Sequence, residues 1–322
     1  MSTETPQTDA ASMLVTGTEV PQNRRRRRRL APYVFLAPSM LLFLAFLAVP
    51  IVYAVYLSLR GFRLTGGGAF GQRREVFVGF ANYVSTFTDP EFFAGFTRLA
   101  IYGAIAIPLT LGLALLFALL LDLPRAKATR FSRTAIFIPY AVPGVVASLL
   151  WGFLYLPSTS PFSYITEQLG WGTIGFLEGT MLFSSIANIA IWSGVGFNMI
   201  IIYTSLRGIP SDVYEAARLD GASEWQIARK IKIPLVAPAL VLTGIFSLIG
   251  TLQLYGEPTT LRPMTSEISQ TWVPLMKIYR DAFVRDDLPL AAASSVVLAV
   301  GTLLVSLLVL RLVQKRAFGD DS

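Results

Sequence analysis

Neutral amides and aromatic rings inside long apolar runs are the residues of this 322-residue chain best suited to binding chemistry. Asn188, Asn198 and Gln253 each stand in a run without charged side chains. Aromatic residues stand in the same runs, Trp192 and Tyr255, and in the preceding apolar run, Trp151 and Tyr155. Amides donate and accept hydrogen bonds, and rings stack on sugar faces, so the set suits a cargo rich in hydroxyl groups. A single amide in an apolar helix also bonds to neighbouring helices, and that alternative stays open for each one.

Several kinds of chemistry are disfavoured by what the sequence lacks. No acidic residue occurs in the apolar runs, whereas a carrier driven by protons or sodium usually needs intramembrane carboxylates. His and Cys are absent, which removes the commonest metal ligand, the commonest general base and thiol chemistry. No G-x-x-x-x-G-K-[ST] phosphate loop is present. We therefore predict no catalytic residue, metal or cofactor, and we disfavour a standalone secondary carrier and a membrane-embedded enzyme such as a glycosyl transferase.

A stretch with charges of both signs lies between two apolar runs, SDVYEAARLDGASEWQIARKIKIPLVAP at residues 211–238. Charges of both signs at this density cannot face lipid, so the stretch must lie in water. Ser211 is the predicted N-cap of a first helix, and Gly221 predicts a turn after it. Ser223 is predicted to cap a second helix that ends at Pro234. The pattern indicates two short helices with a bend between them.

This stretch resembles the EAA signature of ABC importer permeases. In that family the loop is a coupling helix that seats in a groove of the cytoplasmic ATPase. The resemblance implies that the ATPase-coupling residues are Glu215, Ala216, Ala217, Asp220, Gly221, Ala222 and Pro234. Ala228 stands where an aromatic residue is common and Ile233 where Leu is common, and both departures bear on how tightly the loop packs. A cytosolic hairpin without this role would explain the charges but not the spacing.

Two further passages are similar to the carbohydrate-type members of this family, such as the first permease subunits of maltose and glycerol-3-phosphate importers. They are residues 30–58, which include Pro50, and residues 77–93, which read FVGFANY and then DPEFF. The second passage is either an interfacial helix or a contact for cargo. In the sugar permeases the middle helices and the helix after the EAA loop contact the cargo. The resemblance therefore favours Gln253, Tyr255 and Glu257 as cargo residues over Asn198, Asn188 and Trp151.

The composition, with 53% hydrophobic and 15% charged residues and a mean hydropathy of +0.57, is that of a membrane protein. Six runs lack charged residues, and each exceeds the ~20 residues that cross a bilayer as a helix. We predict an all-α fold, a type I ABC importer permease bundle with a cytoplasmic coupling hairpin. The predicted spans are about 33–59, 99–121, 134–156, 181–206, 234–256 and 288–311. Pro139, Pro143 and Gly144 predict a broken third helix, while Gly103 and Gly112 predict close helix packing.

The distribution of positive charge predicts the orientation. Lys and Arg concentrate at residues 24–29, 125–133, 207–232 and 311–316, which all lie inside if the N-terminus is cytoplasmic. Topology then accounts for most of the net charge of +7, and no nucleic acid partner is predicted. The block at 24–29 is interpreted as a topological anchor, with binding of acidic lipid or nucleic acid as the alternatives. The first run is too long for a cleavable signal peptide.

The predicted organisation is a disordered tail at 1–29, a permease domain at 30–316 with its coupling loop at 211–232, and a second cytoplasmic tail at 317–322. Three glycines at 66–68 predict a flexible loop. The predicted partners are a cytoplasmic ABC ATPase dimer, a second and dissimilar permease subunit, an extracytoplasmic solute-binding protein and membrane lipid. The predicted function is import of a mono- or oligosaccharide by alternating access, with a glycerol phosphate as the alternative cargo.

Overall fold

The computed structural model describes residues 22–65 and 72–318. The predictions for residues 1–21, 66–71 and 319–322, which include most of both tails and the glycine loop, lie outside these residues. Helix α1, Gln22–Phe43, begins inside the predicted tail, so the block at 24–29 lies on a helix. A π-helical turn, Leu44–Ala48, joins α1 to α2, Val49–Ser58. The turn lies just before Pro50, which lacks the N–H that a regular helix would need there.

The chain divides into two compact units, one up to Tyr53 and one from Ala54 onward, and the second includes every element after α2. It opens with an antiparallel hairpin of β1, Arg60–Thr65, and β2, Gln72–Phe77, which the all-α prediction did not include. Helix α3, Ala81–Thr88, follows. The Asn82 amide donates to the carbonyls of Ser58 (2.8 Å) and Arg60 (2.6 Å). Asn82 therefore holds the hairpin against α3, which is a structural role.

Helix α4, Pro90–Leu121, begins well before the predicted residue 99. The Asp89 carboxylate accepts the N–H of Glu91 at 2.8 Å, and Pro90 occupies the first turn. These two residues start the helix at residue 90, although the segment between 90 and 99 is more polar than the predicted span. Helix α5, Thr129–Ala141, starts before the predicted span at 134, within the basic residues 125–133. It is bent by 95° from α6, Gly144–Tyr155, and this break confirms the prediction from the two prolines.

Helices α7, Pro161–Gln168, and α8, Met181–Arg207, lead to the charged segment. There the chain forms five elements: α9, Ser211–Leu219; α10, Glu224–Ile227; a π-helical turn, Ala228–Lys232; α11, Ile233–Leu235; and α12, Ala237–Leu252.

The second helix of the charged segment does not end at Pro234 as predicted. It continues to Leu235 and bends by 64° before α12. Pro234 and Pro238 flank Val236 and remove backbone donors on both sides of it, so the bend falls between the two prolines.

The last part of the chain holds α13, Gly256–Leu261, a 3₁₀ turn, Arg262–Met264, α14, Pro274–Phe283, and α15, Leu288–Phe318. Among the described residues, four helices are long and apolar enough to span a membrane, and counting each bent pair as one span raises the number to six. The single helices are Pro32–Ser58, Pro90–Leu121, Met181–Arg207 and Leu288–Leu312. The helix of the fifth predicted span ends at Leu252, four residues before the predicted end at residue 256, because the helix breaks at Gln253.

Small residues bring the helices of the second unit close together. A Cβ at Gly103 would lie 2.9 Å from Thr251 Cγ2, so the prediction of close packing at Gly103 is confirmed. Gly112 has nothing within 4 Å of such a Cβ, and the same prediction there is wrong. The tightest approach is at Gly196 on α8, which the sequence analysis did not single out. There a Cβ would lie 2.2 Å from the Ile136 carbonyl oxygen on α5.

Gly196→Ala is expected to lower the thermal stability of the purified protein, because the added methyl group forces the backbone of α5 away from α8. Overpacking of this kind costs about 1–3 kcal/mol. The matched control is Gly112→Ala, which adds the same methyl group in open space and improves helix propensity. Equal melting temperatures for the two variants would contradict the close approach at Gly196.

Candidate functional site

A cavity of about 510 Å³ lies between α4, α8 and α12 and reaches the break after α12. Its polar and aromatic lining consists of Tyr102, Thr110, Tyr140, Ser193, Phe197, Asn198, Phe246, Ser247, Thr251, Gln253, Tyr255 and Glu257. Four of the six predicted cargo residues are therefore brought together: Asn198, Gln253, Tyr255 and Glu257. Hydroxyl groups, amides and rings that converge in one cavity suit a polar, uncharged small molecule.

The end of α12 positions three of these four residues. Gln253 is the C-cap of α12, and Tyr255 has a φ of −149° before α13 begins at Gly256. Residues 253, 255 and 257, which surround this break, all line the cavity. Glu257, in the first turn of α13, brings a carboxyl group to it. Burial raises the pKa of Glu257, and a hydrogen bond from its own backbone N–H opposes part of that rise.

Asn198 presents an unpaired acceptor at the cavity. Its amide nitrogen donates to the Gly194 carbonyl at 2.8 Å, while its Oδ1 is buried and has no hydrogen-bond partner among the described residues. A buried polar atom without a partner is costly, so this oxygen is suited to accept a hydrogen bond from a bound hydroxyl group or water.

Asn188 and Trp151 lie outside this cavity. The Asn188 amide donates to the Tyr155 hydroxyl at 2.9 Å, and that hydroxyl donates to the Ser185 carbonyl at 3.0 Å. Trp151 packs against Tyr155 and Trp192, with ring centroids 5.7 and 6.0 Å apart. For Asn188 the structure thus shows the interhelical contact that the sequence left as the alternative.

Four aromatic residues of the lining were missed as cargo candidates: Tyr102, Tyr140, Phe197 and Phe246. Tyr140, at the end of α5, stacks on Phe197 of α8 with their ring centroids 4.8 Å apart and an interplanar angle of 16°. Both line the cavity. A signal for Tyr140 was present, since it lies between Pro139 and Pro143 at the predicted helix break, and such breaks commonly line cavities.

The second candidate region is the charged hairpin, residues 211–232. Its first helix, α9, ends in a Schellman motif in which the N–H of Ala222 donates to the Ala217 carbonyl at 2.9 Å and the N–H of Gly221 donates to the Arg218 carbonyl at 3.0 Å. Gly221 has a φ of +83°, a conformation that favours glycine. The predicted bend at Gly221 is confirmed.

The second helix of the charged hairpin starts with the predicted cap. Ser223 Oγ accepts the N–H of Gln226 at 3.3 Å, and Gln226 Oε1 accepts the N–H of Ser223 at 2.8 Å, so the two form a capping box. The first predicted cap is wrong. Pro210 holds the N-cap position of α9, Ser211 is its first residue, and the Ser211 hydroxyl contacts Asp212 Oδ1 at 3.4 Å instead of a backbone N–H.

The surface of the charged hairpin presents the signature residues and two large apolar side chains. Glu215, Ala216, Asp220, Gly221 and Pro234 are exposed, and Ala217 and Ala222 are partly exposed. Leu219 is 89% exposed and Trp225 71% exposed, and neither was predicted as a contact residue. Exposed apolar residues grouped with charges are typical of a protein interface.

Comparison with known proteins decides the family. Residues 110–317 match the family described as the binding-protein-dependent transport system inner membrane component. The chain belongs to this family. Permeases of this family are non-catalytic membrane components, so the membrane location and the permease class predicted from the sequence are confirmed.

Individual relatives agree with this assignment. The permease is 30% identical to the probable ABC transporter permease protein YurN of Bacillus subtilis, over 88% of this chain and 95% of the relative. It is 30% identical to the sn-glycerol-3-phosphate transport system permease protein UgpA of Agrobacterium fabrum, over 89% of this chain and 96% of the relative.

The fold is also similar to that of a solved transporter. The permease matches a chain of the bacterial alginate ABC transporter in complex with an alginate pentasaccharide-bound periplasmic protein, with a TM-score of 0.76, 20% identity and coverage of 92% and 98% of the two chains. The similarity confirms the type I ABC importer permease fold.

Proposed function

We propose that this permease moves a sugar from an extracytoplasmic binding protein to the cytoplasm, powered by ATP hydrolysis on a separate chain. The observation that supports this most directly is the pairing of two regions in one helical unit. One is a cavity lined by hydroxyl groups, amides and rings, and the other is the charged hairpin with its exposed signature residues.

The lining of the cavity favours a neutral sugar over a glycerol phosphate. No Lys or Arg lines it among the described residues, and an anionic phosphate would be expected to meet at least one such cation. The name of the Agrobacterium fabrum relative refers to glycerol-3-phosphate, which keeps that cargo as the second candidate. The volume of about 510 Å³ falls in the range of small-molecule sites, so a mono- or oligosaccharide unit fits.

We infer that transport proceeds by alternating access. A binding protein delivers the sugar to the outer loops, and closure of an ATPase dimer pushes on the charged hairpin so that the helices open outward. ATP hydrolysis and reopening of the ATPase dimer then make the cavity accessible from the cytoplasm. Glu215, Ala216, Ala217, Asp220, Gly221, Ala222 and Pro234 are the proposed coupling residues. A second, dissimilar permease supplies the opposite wall of the pathway, and both termini lie in the cytoplasm.

The test is transport in reconstituted vesicles that contain both permeases, with and without the ATPase. Uptake of the sugar carried by the binding protein should require the ATPase and ATP. Uptake at an unchanged rate in vesicles without the ATPase would exclude the proposed function. Protease cleavage of the charged hairpin from outside intact cells would exclude the proposed orientation.

Gln253→Leu and Tyr255→Ala are expected to reduce sugar uptake while the assembled complex keeps its ATPase, because both side chains line the cavity and neither lies on the charged hairpin. Loss of one hydrogen bond to a bound sugar costs about 0.5–1.5 kcal/mol, which corresponds to a several-fold rise in the uptake KM. Gln168→Leu, an exposed amide on α7, is the matched control. An unchanged KM in both cavity variants would remove these residues from the pathway.

A further inference from the structure

The charged hairpin is joined to α4 by a buried ion pair. Lys232 Nζ lies 2.6 Å from Asp122 Oδ2, and the two side chains are 3% and 5% exposed. Asp122 is the C-cap of α4, and Lys232 is the last residue of the hairpin. The contact links positions 110 residues apart in sequence. It therefore connects two elements that no backbone segment holds together at this point.

The π-helical turn of the hairpin brings Lys232 to this position. Ile227 is fully buried, and in an α-helix a residue five positions later would lie about 140° around the axis from it. The N–H of Ile233 instead donates to the Ala228 carbonyl, five residues back, so the turn is wider and Lys232 shares the buried face. Val236, also fully buried, belongs to the same buried cluster as Ala114 and Ala118 of α4.

The ion pair lies in a compartment shielded from water. Lys232 Nζ stands 4.9 Å from the centre of the Tyr214 ring, and the Tyr214 hydroxyl is buried without a partner among the described residues. Burial and the charge of Asp122 raise the pKa of Tyr214, while Arg207 opposes the rise. Arg207 Nη1 lies 3.8 Å from Asp122 Oδ1. In such a compartment an ion pair is screened little and resists separation.

Helix α4 connects the ion pair to the cavity. Asp122 ends the helix, and Thr110, about 18 Å earlier along its axis, lines the cavity together with Tyr102 and Ala106 of the same helix. A displacement applied at Asp122 therefore moves one wall of the cavity without passing through the bend at Val236.

We propose that Asp122 and Lys232 are positioning residues that fasten the charged hairpin to α4, so that the hairpin and this wall of the cavity move as one body. The proposal rests on the proposed function, since it assumes that an ATPase displaces the hairpin. It assigns α4, not only α12, as the helix that receives the displacement.

The absence of native Cys allows a direct test with paired spin labels. Lys230→Cys on the hairpin and Leu116→Cys on α4, both at exposed positions, are labelled in the complete transporter, and the distance between the labels is measured before and after trapping with ATP and orthovanadate. With the ion pair intact, the distance distribution should stay unchanged on trapping. In Lys232→Met it should shift by about 2 Å or more, the scale of helix movements in switching proteins.

A matched control is available at the other end of α4. Lys277 Nζ lies 2.6 Å from Asp281 Oδ2, with side chains 2% and 0% exposed, but this pair lies within α14 and also contacts Asp89. Lys277→Met removes a comparable buried charge without touching the hairpin, so it should leave the distance distribution unchanged. Lys232→Arg, which keeps the charge, should behave like the parent protein.

The outcomes separate the two proposals. A shift between the labels on trapping while the ion pair is intact would overturn the one-body proposal, as would a Lys232→Met transporter with an unchanged distribution. If Lys232→Met fails to assemble, the parent measurement still decides. A separate label at Asp212→Cys, an exposed position of α9 outside the proposed coupling residues, should lose mobility when the ATPase is added. If its mobility does not change, the proposed function itself is wrong.

Discussion

Glu215→Lys combined with Gly221→Pro is expected to abolish association with the ATPase and, with it, sugar uptake. Proline fixes φ near −65°, whereas Gly221 requires +83°, and proline also removes the N–H that bonds to Arg218 at 3.0 Å. The Schellman motif must therefore open, and Leu219 and Trp225 lose their present arrangement. Reversal of the charge at Glu215 adds repulsion against any cation that the wild-type carboxylate would pair with. We expect a loss of at least about tenfold in ATPase affinity.

Association is measured by co-purification of the ATPase with the permease, and uptake in reconstituted vesicles. Gly221→Asn is the matched control for the turn, because Asn tolerates a positive φ better than most other residues that carry a side chain. Its expected phenotype is close to that of the parent protein. Because the hairpin residues concerned are exposed, the transmembrane helices should retain their melting temperature. Normal association and uptake in the double variant would show that coupling does not pass through the charged hairpin.

Gly250→Trp is the substitution expected to block the cavity most completely. Gly250 lines the cavity, and a Cβ built on it meets no atom within 4 Å. A side chain can therefore leave the backbone at this position without a clash at its Cβ, and an indole here would fill part of the cavity that the cargo needs. We expect uptake to fall about tenfold or more, a change that corresponds to at least about 1.4 kcal/mol in the limiting step.

The measurement is initial uptake at saturating binding protein, together with the ATP hydrolysis rate of the same complex. Gly250→Ala is the control, since a methyl group leaves most of the volume of about 510 Å³ open. Assembly with the ATPase should be the same in both variants. Unimpaired uptake in Gly250→Trp would place the route of the cargo elsewhere.

The sequence by itself determined the class of protein and the local structure of the charged hairpin, namely its turn and the cap of its second helix. Run length and composition indicated membrane spans because a bilayer demands about 20 apolar residues per helix. The turn at Gly221 and the cap at Ser223 depend on neighbours within a few residues, so both were predictable and both are confirmed. Helix ends were less predictable. The N-terminal signal at Asp89 and Pro90 extended α4, and the two prolines around Val236 moved a bend.

Only the tertiary structure decided which polar residues act together. Asn198 and Asn188 are both amides on α8, yet one has an unpaired oxygen at the cavity and the other bonds to Tyr155 on α6. Likewise, Lys232 is one of several cations in the charged hairpin, and nothing near it in sequence distinguishes it. Its partner Asp122 is 110 residues away, and their pairing depends on how α4 and the hairpin pack. Local sequence cannot encode such a contact, because the free energy that holds it comes from burial shared by distant segments.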